Sequence, residues 1–269
     1  MRPLSERLAR ALESFDGQVV PARHAATVVL LRRAPAGPEV FLMRRRGTMA
    51  FASGMYVFPG GGVQSSDWDP NLPWLGPSPE AWGRVFGCPA DLARALVVAA
   101  VRETFEETGV LLAGPGEAEV TGPLDGPAEL RRAVESGELP FAELLHERGL
   151  FLRTDLLAPW AHWITPEFEP RRFDTRFFVS LLPSGQDVGD LAGEADAAGW
   201  RPLAGVIEEA RAGVVAMMPP TMHVCLQLHA TEFETLPGAA WARQIKTVAP
   251  RVVEVGGERF LDTPSEEEF

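Results

Sequence analysis

The stretch that decides the fold is Ala99-Ala100-Val101-Arg102-Glu103-Thr104-Phe105-Glu106-Glu107-Thr108-Gly109-Val110. At about 100° per residue, an α-helix places Glu106 and Glu107 within about 60° of Glu103 on its surface. The opposite side carries the apolar side chains of Val97, Val98, Val101 and Phe105. Like charges at these spacings repel unless a cation lies among them, and carboxylate oxygens suit a hard divalent ion such as Mg²⁺. The stretch therefore predicts a metal-binding helix, with a solvated acidic face as the alternative.

A glycine-rich stretch precedes this helix: Tyr56-Val57-Phe58-Pro59-Gly60-Gly61-Gly62-Val63. An apolar strand runs into Pro59, which stiffens the chain, and then into glycines, which let the backbone approach a bound group closely. Alone, such a stretch is typical of an ordinary turn. Together with the acidic helix, it resembles the box motif of the Nudix hydrolase family. That motif runs Gly, five residues, Glu, seven residues, Arg-Glu, an apolar residue, any residue, Glu-Glu, any residue, Gly, apolar.

The resemblance can be followed position by position. The matches to the second half of the box are Arg102, Glu103, Glu106, Glu107, Gly109 and Val110, and Gly61 matches the opening glycine. Asp67 stands where the family has its first glutamate, with an ordinary loop residue as the alternative. Thr104 replaces the usual aliphatic residue, and the stretch between Asp67 and Arg102 is far longer than seven residues. A branch of the family related to animal coenzyme A diphosphatases carries such an insertion.

The resemblance implies hydrolysis of a nucleoside diphosphate linked to another group, with Mg²⁺ or Mn²⁺ as the cofactor. The implied metal ligands are Glu103, Glu106, Glu107 and the Gly60 carbonyl. The implied catalytic residues are Glu103, which orients or deprotonates the attacking water, together with Glu107 and Arg102. Arg102 is expected to hold a glutamate by a two-pronged ion pair. A further carboxylate from outside the box is expected among Glu167, Glu169, Asp174 and Glu194.

Substrate choice rests on residues before the glycines, and the candidate substrate-binding residues are Arg45, Arg46 and Gly61. Relatives that hydrolyse coenzyme A carry a pattern that Arg45, Gly54 and Phe58–Gly61 fit, whereas Arg46 and Ala50 depart from it. Coenzyme A or acyl-CoA is therefore the leading substrate, with ADP-ribose, NADH and nucleotide sugars as alternatives. Two other classes stay open: a non-catalytic nucleotide sensor of the same fold, and an RNA-processing enzyme of the decapping type.

Composition bounds the class of protein. The 269 residues are 46% hydrophobic, enough for a large core, and their net charge of −12 argues against binding to a nucleic-acid backbone. Cys88 and Cys225 predict free thiols in a reducing compartment. The chain starts without an apolar signal-peptide core, and the apolar run 95–101 is too short to span a bilayer. We expect a cytoplasmic protein that acts on a small-molecule diphosphate, without a nucleic-acid or membrane partner, and with a homodimer as a candidate assembly.

The predicted fold class is α/β, a Nudix-type α/β/α sandwich with a mixed sheet and helical insertions. Residues 1–24 are read as an N-terminal helix and lead-in, and residues 25–235 as the Nudix domain with insertions at about 64–90 and 124–150. Residues 236–269 form a C-terminal extension that ends in an acidic tail. The periodicity predicts strands at 25–31, 39–43, 55–58, 157–164 and 172–182. Predicted helices lie at 4–15, from Cys88 to Gly109, and at 127–136, 140–147, 203–212, 221–231 and 237–244.

Some segments have a structural and a functional interpretation side by side. Residues 64–88 are predicted to be irregular, and their tryptophans either stack on a nucleobase or fill a small core of the insertion. The five histidines are scattered, which favours structural roles over metal binding. The stretch Met217-Met218-Pro219-Pro220 is expected to be core and the start of a helix.

Overall fold

The computed structural model describes residues 2–45, 54–122, 124–189 and 195–264. Its helices are α1 (Glu6–Glu13), α2 (Pro79–Phe86), α3 (Ala90–Thr108), α4 (Pro127–Glu135), α5 (Phe141–Glu147), α6 (Leu203–Arg211), α7 (Pro219–His229) and α8 (Leu236–Ala242). Its longer strands are β2 (Arg23–Ala34), β3 (Gly37–Arg45), β9 (Ala158–Ile164), β10 (Phe173–Leu181), β11 (Ala195–Pro202), β13 (Arg251–Val255) and β14 (Glu258–Asp262). Short strands are β1 (Arg2–Pro3), β4 (Tyr56–Val57), β5 (Gly60–Gly62), β6 (Trp74–Leu75), β7 (Ala113–Gly114), β8 (Phe151–Arg153) and β12 (Thr247–Val248).

The main sheet is mixed and runs in the order β11-β3-β2-β10-β9-β12 through the described residues, with β4 on β3 and β5 on β2. Strands β2 and β3 form the predicted antiparallel hairpin, whereas β10 lies parallel to β2. Both faces of the central strands are buried. Val28 and Leu30 of β2 pack with α3 in one core, and Val29 and Leu31 pack with α6 and α7 in the other. This burial on both faces makes β2 a continuous apolar run, and it confirms the predicted α/β class.

Helix α3 is the central helix of the molecule. Its N-cap is Pro89, and it ends at Gly109, whose φ of +79° terminates the helix in the left-handed region as predicted. Its middle turns, residues 95–101, are entirely apolar and buried. Arg102 and Glu106, in its last two turns, are also buried. The helix therefore delivers charged side chains into the interior of the fold rather than into solvent.

The prediction that residues 64–88 are irregular is wrong in part. Ser78 caps the eight-residue helix α2 by accepting a hydrogen bond from the Ala81 N–H, and Pro79 opens its first turn. Trp82 is completely buried in the main core, where its ring contacts the rings of Phe178 and Trp241. It therefore fills neither a nucleobase site nor a separate small core, because α2 packs directly on α3.

Other elements also differ from the sequence prediction. The glycines expected to form a turn are strand β5, in which Gly60, Gly61 and Gly62 pair with Thr27, Ala26 and Ala25. Beyond α8, the chain forms an unpredicted hairpin of β13 and β14, and β14 also pairs with β1. The N-terminal and C-terminal segments are thus joined in a small three-stranded sheet. Strand β11 was also missed, because its alanines and glycine carry little β propensity.

Helices α4 and α5 lie where they were predicted, and Cys88 and Cys225 are free thiols. The acidic tail at 265–269 lies outside the described residues. Within the described ranges, no helix combines the length and the apolar character needed to cross a lipid bilayer.

Candidate active site

A buried arginine organises the site. The Arg102 side chain is 2% exposed, and its Nε and Nη2 atoms donate to the two carboxylate oxygens of Asp67 at 2.8 and 3.0 Å. Its Nη2 also donates to the Gly62 carbonyl at 3.0 Å. Two-pronged pairs of this kind are the strongest ion-pair geometry available to arginine. The two-pronged ion pair of Arg102 was expected with a glutamate. The structure forms it with Asp67 instead, because the short segment Ser65–Trp68 packs against α3.

The remaining guanidinium nitrogen of Arg102 meets two glutamates of its own helix. Nη1 donates to Glu103 Oε1 at 2.9 Å and to both oxygens of Glu106 at 3.1 and 3.0 Å. One cation thus serves three carboxylates. Burial raises the pKa of Glu103, Arg102 opposes this effect and the neighbouring Glu106 adds to it, and together they bring that pKa to about 7. Burial also raises the pKa of Glu106. The cluster has an excess of negative charge that a further cation would relieve.

The glycine strand closes over these glutamates. The Gly60 N–H donates to Glu107 Oε2 at 2.7 Å, which ties β5 to the last turn of α3. Gly60 has a φ of +154°, and a Cβ there would lie 2.4 Å from the Ala26 carbonyl oxygen. A Cβ on Gly61 would lie 2.4 Å from Glu103 Oε1. These two glycines are therefore required for the close approach of β5 to both β2 and the Glu103 carboxylate.

Glu103 and Glu107 border a large cavity of about 580 Å³. Gly60, Gly61 and Arg45 also line this cavity. The cavity also has an extensive apolar lining, and its members include Phe58, Phe173, Phe177, Met217, Met218 and Pro219. Met217–Pro220 thus contribute to the cavity as well as to the start of α7. Arg7 and Leu8 of helix α1 and its N-cap residue Ser5 also line the cavity, which nothing in the sequence pattern indicates.

The predicted residues outside the box are placed in different surroundings. Glu169 lines the cavity, is 4% exposed and accepts two hydrogen bonds from Arg7 at 2.6 and 2.9 Å. Asp174 pairs with Arg176, His162 and His24 and is not in the cavity lining. Glu167 is exposed. Arg46 and Glu194 lie outside the described residues. Among the described candidates for a further carboxylate from outside the box, Glu169 is therefore the one that lines the cavity.

The donor set fits a hard divalent cation in its chemistry. Glu103 and Glu107 offer carboxylate oxygens beside Gly60, and Mg²⁺ keeps several waters, so that few protein ligands suffice. Glu106 is different, because both its oxygens are engaged by Arg102 and it does not line the cavity. Across the described ranges, no three acidic, histidine or cysteine side chains converge as a ready-made metal cluster. Of the predicted metal ligands, Glu103, Glu107 and Gly60 thus line the cavity, whereas Glu106 does not.

A glycine strand set against an Arg-Glu-x-x-Glu-Glu helix, within a three-layer α/β sandwich, defines a Nudix hydrolase. A family model described as the NUDT19 Nudix domain matches residues 80–228, more than half of the chain. The chain therefore belongs to the Nudix hydrolases of that family. The resemblance proposed from the sequence is confirmed.

Relatives and solved structures agree with this assignment. The chain is 29% identical over 259 residues to "Acyl-coenzyme A diphosphatase NUDT19" of Gallus gallus, covering 77% of this chain and 68% of that protein. It is 27% identical to the protein of the same name from Xenopus laevis, covering 69% of this chain and 58% of that protein. A crystal structure of a Nudix hydrolase from Alicyclobacillus acidocaldarius is 31% identical with a TM-score of 0.67, covering 85% of this chain and 99% of that one.

Proposed function

We propose that this protein hydrolyses a diphosphate bond in a small molecule linked to a nucleoside diphosphate, with acyl-CoA or coenzyme A as the leading substrate. One observation carries the proposal. The carboxylates of Glu103 and Glu107 lie with Gly60 and Gly61 at the wall of an arginine-bearing, largely apolar cavity. A substrate with an anionic diphosphate and a long organic arm matches that combination of charge and apolar surface.

The cofactor that we propose is Mg²⁺, with Mn²⁺ as a substitute, held by Glu103, Glu107 and the Gly60 carbonyl. When bound, such an ion would neutralise charge on the diphosphate and make a bound water more acidic. Glu106 would act from outside the cavity, by holding Arg102 in place rather than by binding the ion directly. This differs from its predicted role as a metal ligand and follows from its contacts with Arg102.

The residues of the chain would supply the proton chemistry and the orientation. Glu103 has a pKa of about 7 because of its burial, so that it can accept a proton from water near neutral pH. Arg102 fixes Glu103 through a 2.9 Å hydrogen bond, and Glu107 fixes the glycine strand through the Gly60 N–H. Arg45 on the cavity wall would contact the phosphates of the substrate.

The substrate assignment draws on the relatives, two of which are named acyl-coenzyme A diphosphatases. ADP-ribose, NADH and nucleotide sugars are the competing substrates, and a non-catalytic nucleotide sensor is the competing function. We also propose action on small molecules rather than nucleic acids, because the net charge is −12. A cytoplasmic location, a homodimer and the predicted domain boundaries remain predictions.

The test is a Mg²⁺-supported screen of coenzyme A, acyl-CoA, ADP-ribose, NADH and nucleotide sugars, with the products identified by mass spectrometry. We expect cleavage of the diphosphate to two monophosphate products, fastest with the CoA compounds. Glu107→Gln is expected to abolish turnover while leaving the thermal unfolding transition in place. Tight binding of these compounds without any Mg²⁺-dependent product would establish the sensor. Normal turnover by Glu107→Gln would contradict the proposed site.

A further inference from the structure

A second cavity, of about 500 Å³, lies beside β9 and β12. Its lining includes Trp160 and Trp163 of β9, Arg243 and Lys246 of the segment after α8, Gln227 of α7, and Thr263. Trp163 is the one residue that lines both this cavity and the cavity beside Glu103, as far as the described chain shows. The second cavity is therefore distinct from the proposed active site, although an indole ring adjoins both.

The charge of this cavity is unusual for an acidic protein. The Arg243 guanidinium is half-buried and lies 4.3 Å from the ring centroid of Trp160. Within the described residues it has no ion pair with a carboxylate, whereas Arg102 and Arg153 are each paired with an aspartate. Consistent with this, burial lowers the pKa of Arg243. Lys246 is the only lysine of the chain and adds a second cation, against a single acidic lining residue, Asp262.

The walls of the cavity also contain polar groups without partners. Trp160 Nε1, Trp163 Nε1, Gln227 Oε1 and Thr263 Oγ1 are buried and form no hydrogen bond within the described ranges. Four such atoms among the lining residues of one cavity is a high local density, because buried polar groups are normally hydrogen-bonded. Each costs free energy unless something satisfies it. The cavity is therefore lined by two cations that pair with no carboxylate of the described residues, beside residues whose buried polar atoms lack partners.

We propose that this cavity binds a small organic anion, a carboxylate or a phosphate monoester carried on an aromatic or aliphatic body. The guanidinium of Arg243 would pair with the anionic group, since arginine suits planar and tetrahedral oxyanions. The indoles of Trp160 and Trp163, with Ile245 and Val248, would pack against the apolar body. The proposal stands independently of the catalytic function, because it depends on none of the residues around Glu103.

The test is calorimetric titration of the full chain with 1-naphthoate and with phenyl phosphate, using neutral 1-naphthamide as the uncharged analogue and inorganic phosphate as the anion without a body. We expect saturable binding of the two organic anions at a single site, and binding of the amide at least roughly tenfold weaker. Arg243→Gln should weaken naphthoate binding about tenfold or more. Lys246→Gln, at an exposed side chain, should weaken it severalfold without disturbing the fold.

Two controls separate this cavity from the other. Arg45→Gln removes an arginine of the proposed active site and should leave naphthoate binding unchanged. Arg251→Gln removes an exposed arginine outside both cavities and should also leave naphthoate binding unchanged. Equal binding of naphthoate and naphthamide would overturn the proposal, as would loss of binding in Arg45→Gln alone. The absence of saturable binding at millimolar concentrations would also overturn it. If naphthoate bound only after residues 265–269 were removed, the site would belong to the acidic tail and not to a diffusible anion.

Discussion

At the scale of the residue, the site depends on one guanidinium shared among three carboxylates. Arg102 is buried, and burial would favour its neutral form, but Asp67, Glu103 and Glu106 raise its pKa well above the usual range. A permanently charged Arg102 holds the Glu103 carboxylate beside the cavity. Its positive charge does not offset the effect of burial on Glu103, whose pKa is still raised to about 7. The residue-scale predictions concern this glutamate and the glycine that leaves room for it.

The first prediction is that Gly61→Ala impairs turnover, whereas Gly62→Ala does not. A methyl group on Gly61 would lie 2.4 Å from Glu103 Oε1, but on Gly62 the nearest atom, the His24 carbonyl oxygen, is 3.9 Å away. Displacing the Glu103 carboxylate by about 1 Å should lower kcat roughly 100-fold. Steady-state kinetics of the two variants check this. Because the two glycines are adjacent in β5, equal effects of both substitutions would point to general damage of the strand instead.

The second prediction is that Mg²⁺ binding strengthens as the pH rises through neutrality. The ion binds the carboxylate form, and Glu103 is largely protonated below its pKa of about 7. The apparent association constant should therefore rise about tenfold per pH unit below pH 7 and level off above it, while the number of protons released per ion falls from about one to zero. Calorimetry in buffers of different ionisation enthalpy measures both quantities. The dependence should disappear in Glu103→Gln, and a flat profile in the unaltered protein would contradict the assignment.

At the scale of the element, the Asp67–Arg102 pair joins the segment after the glycine strand to helix α3. Asp67 is 1% exposed, and its Oδ2 also accepts from the Gln64 N–H at 2.7 Å, so that it caps the short segment Ser65–Trp68 and joins that segment to α3. The long insertion between Asp67 and Arg102 leaves this contact intact because α2 folds back on α3 in the core. The insertion is thus accommodated without separating the two halves of the motif.

The third prediction is that Asp67→Asn lowers both stability and activity. Removing one partner of a buried pair leaves Arg102 uncompensated, which should cost about 3 kcal/mol of unfolding free energy. Asp155→Asn is a matched control, because Asp155 forms a similar fork with Arg153 at 2.7 and 2.6 Å but is partly exposed and remote from the cavity. It should cost less than about 1 kcal/mol and leave kcat unchanged. Denaturant titration and kinetics of both variants decide this, and equal losses would be evidence against a special role for Asp67.

At the scale of the whole molecule, the two ends of the chain complete the cavity. Strands β1 and β14 pair with each other, and residues of α1, together with Pro250 and Leu261, line the cavity that Gly60 and Gly61 also line. Arg7 of α1 donates two hydrogen bonds to Glu169, which is buried in the connection between β9 and β10. The shape of the cavity is therefore a property of contacts between segments that are distant in the sequence.

The fourth prediction is that Arg7→Met raises KM severalfold or more with little change in kcat. The substitution would release the α1 wall and leave the Glu169 carboxylate without its Arg7 partner, whereas the glutamates of α3 would be untouched. Arg10→Met serves as the control, because Arg10 lies on the same helix and is mostly exposed. Its side chain makes a 3.8 Å ion pair with Glu6 and a 3.3 Å hydrogen bond to the Glu6 carbonyl oxygen, and it does not line the cavity. A fall in kcat at unchanged KM would place Arg7 in the reaction itself and contradict its role as part of the wall.

The sequence by itself determined the family, the α/β class, most of the helices and strands, and the residues of the motif. These features rest on local periodicity and on residue types at fixed spacing, which the chain carries in any conformation. Only the tertiary structure decided that Arg102 pairs with Asp67, that Glu106 faces the arginine and not the cavity, and that Glu169 lies on the cavity wall. Strands β13 and β14 form a local hairpin instead, and the turn Gly256-Gly257, with both φ angles positive, is a short-range signal for it that the sequence prediction did not use. The pairing of β11 with β3, in contrast, belongs with the distant contacts, because it outweighs a weak local signal. Such contacts join residues far apart in the chain, and no pattern within a short window of sequence records them.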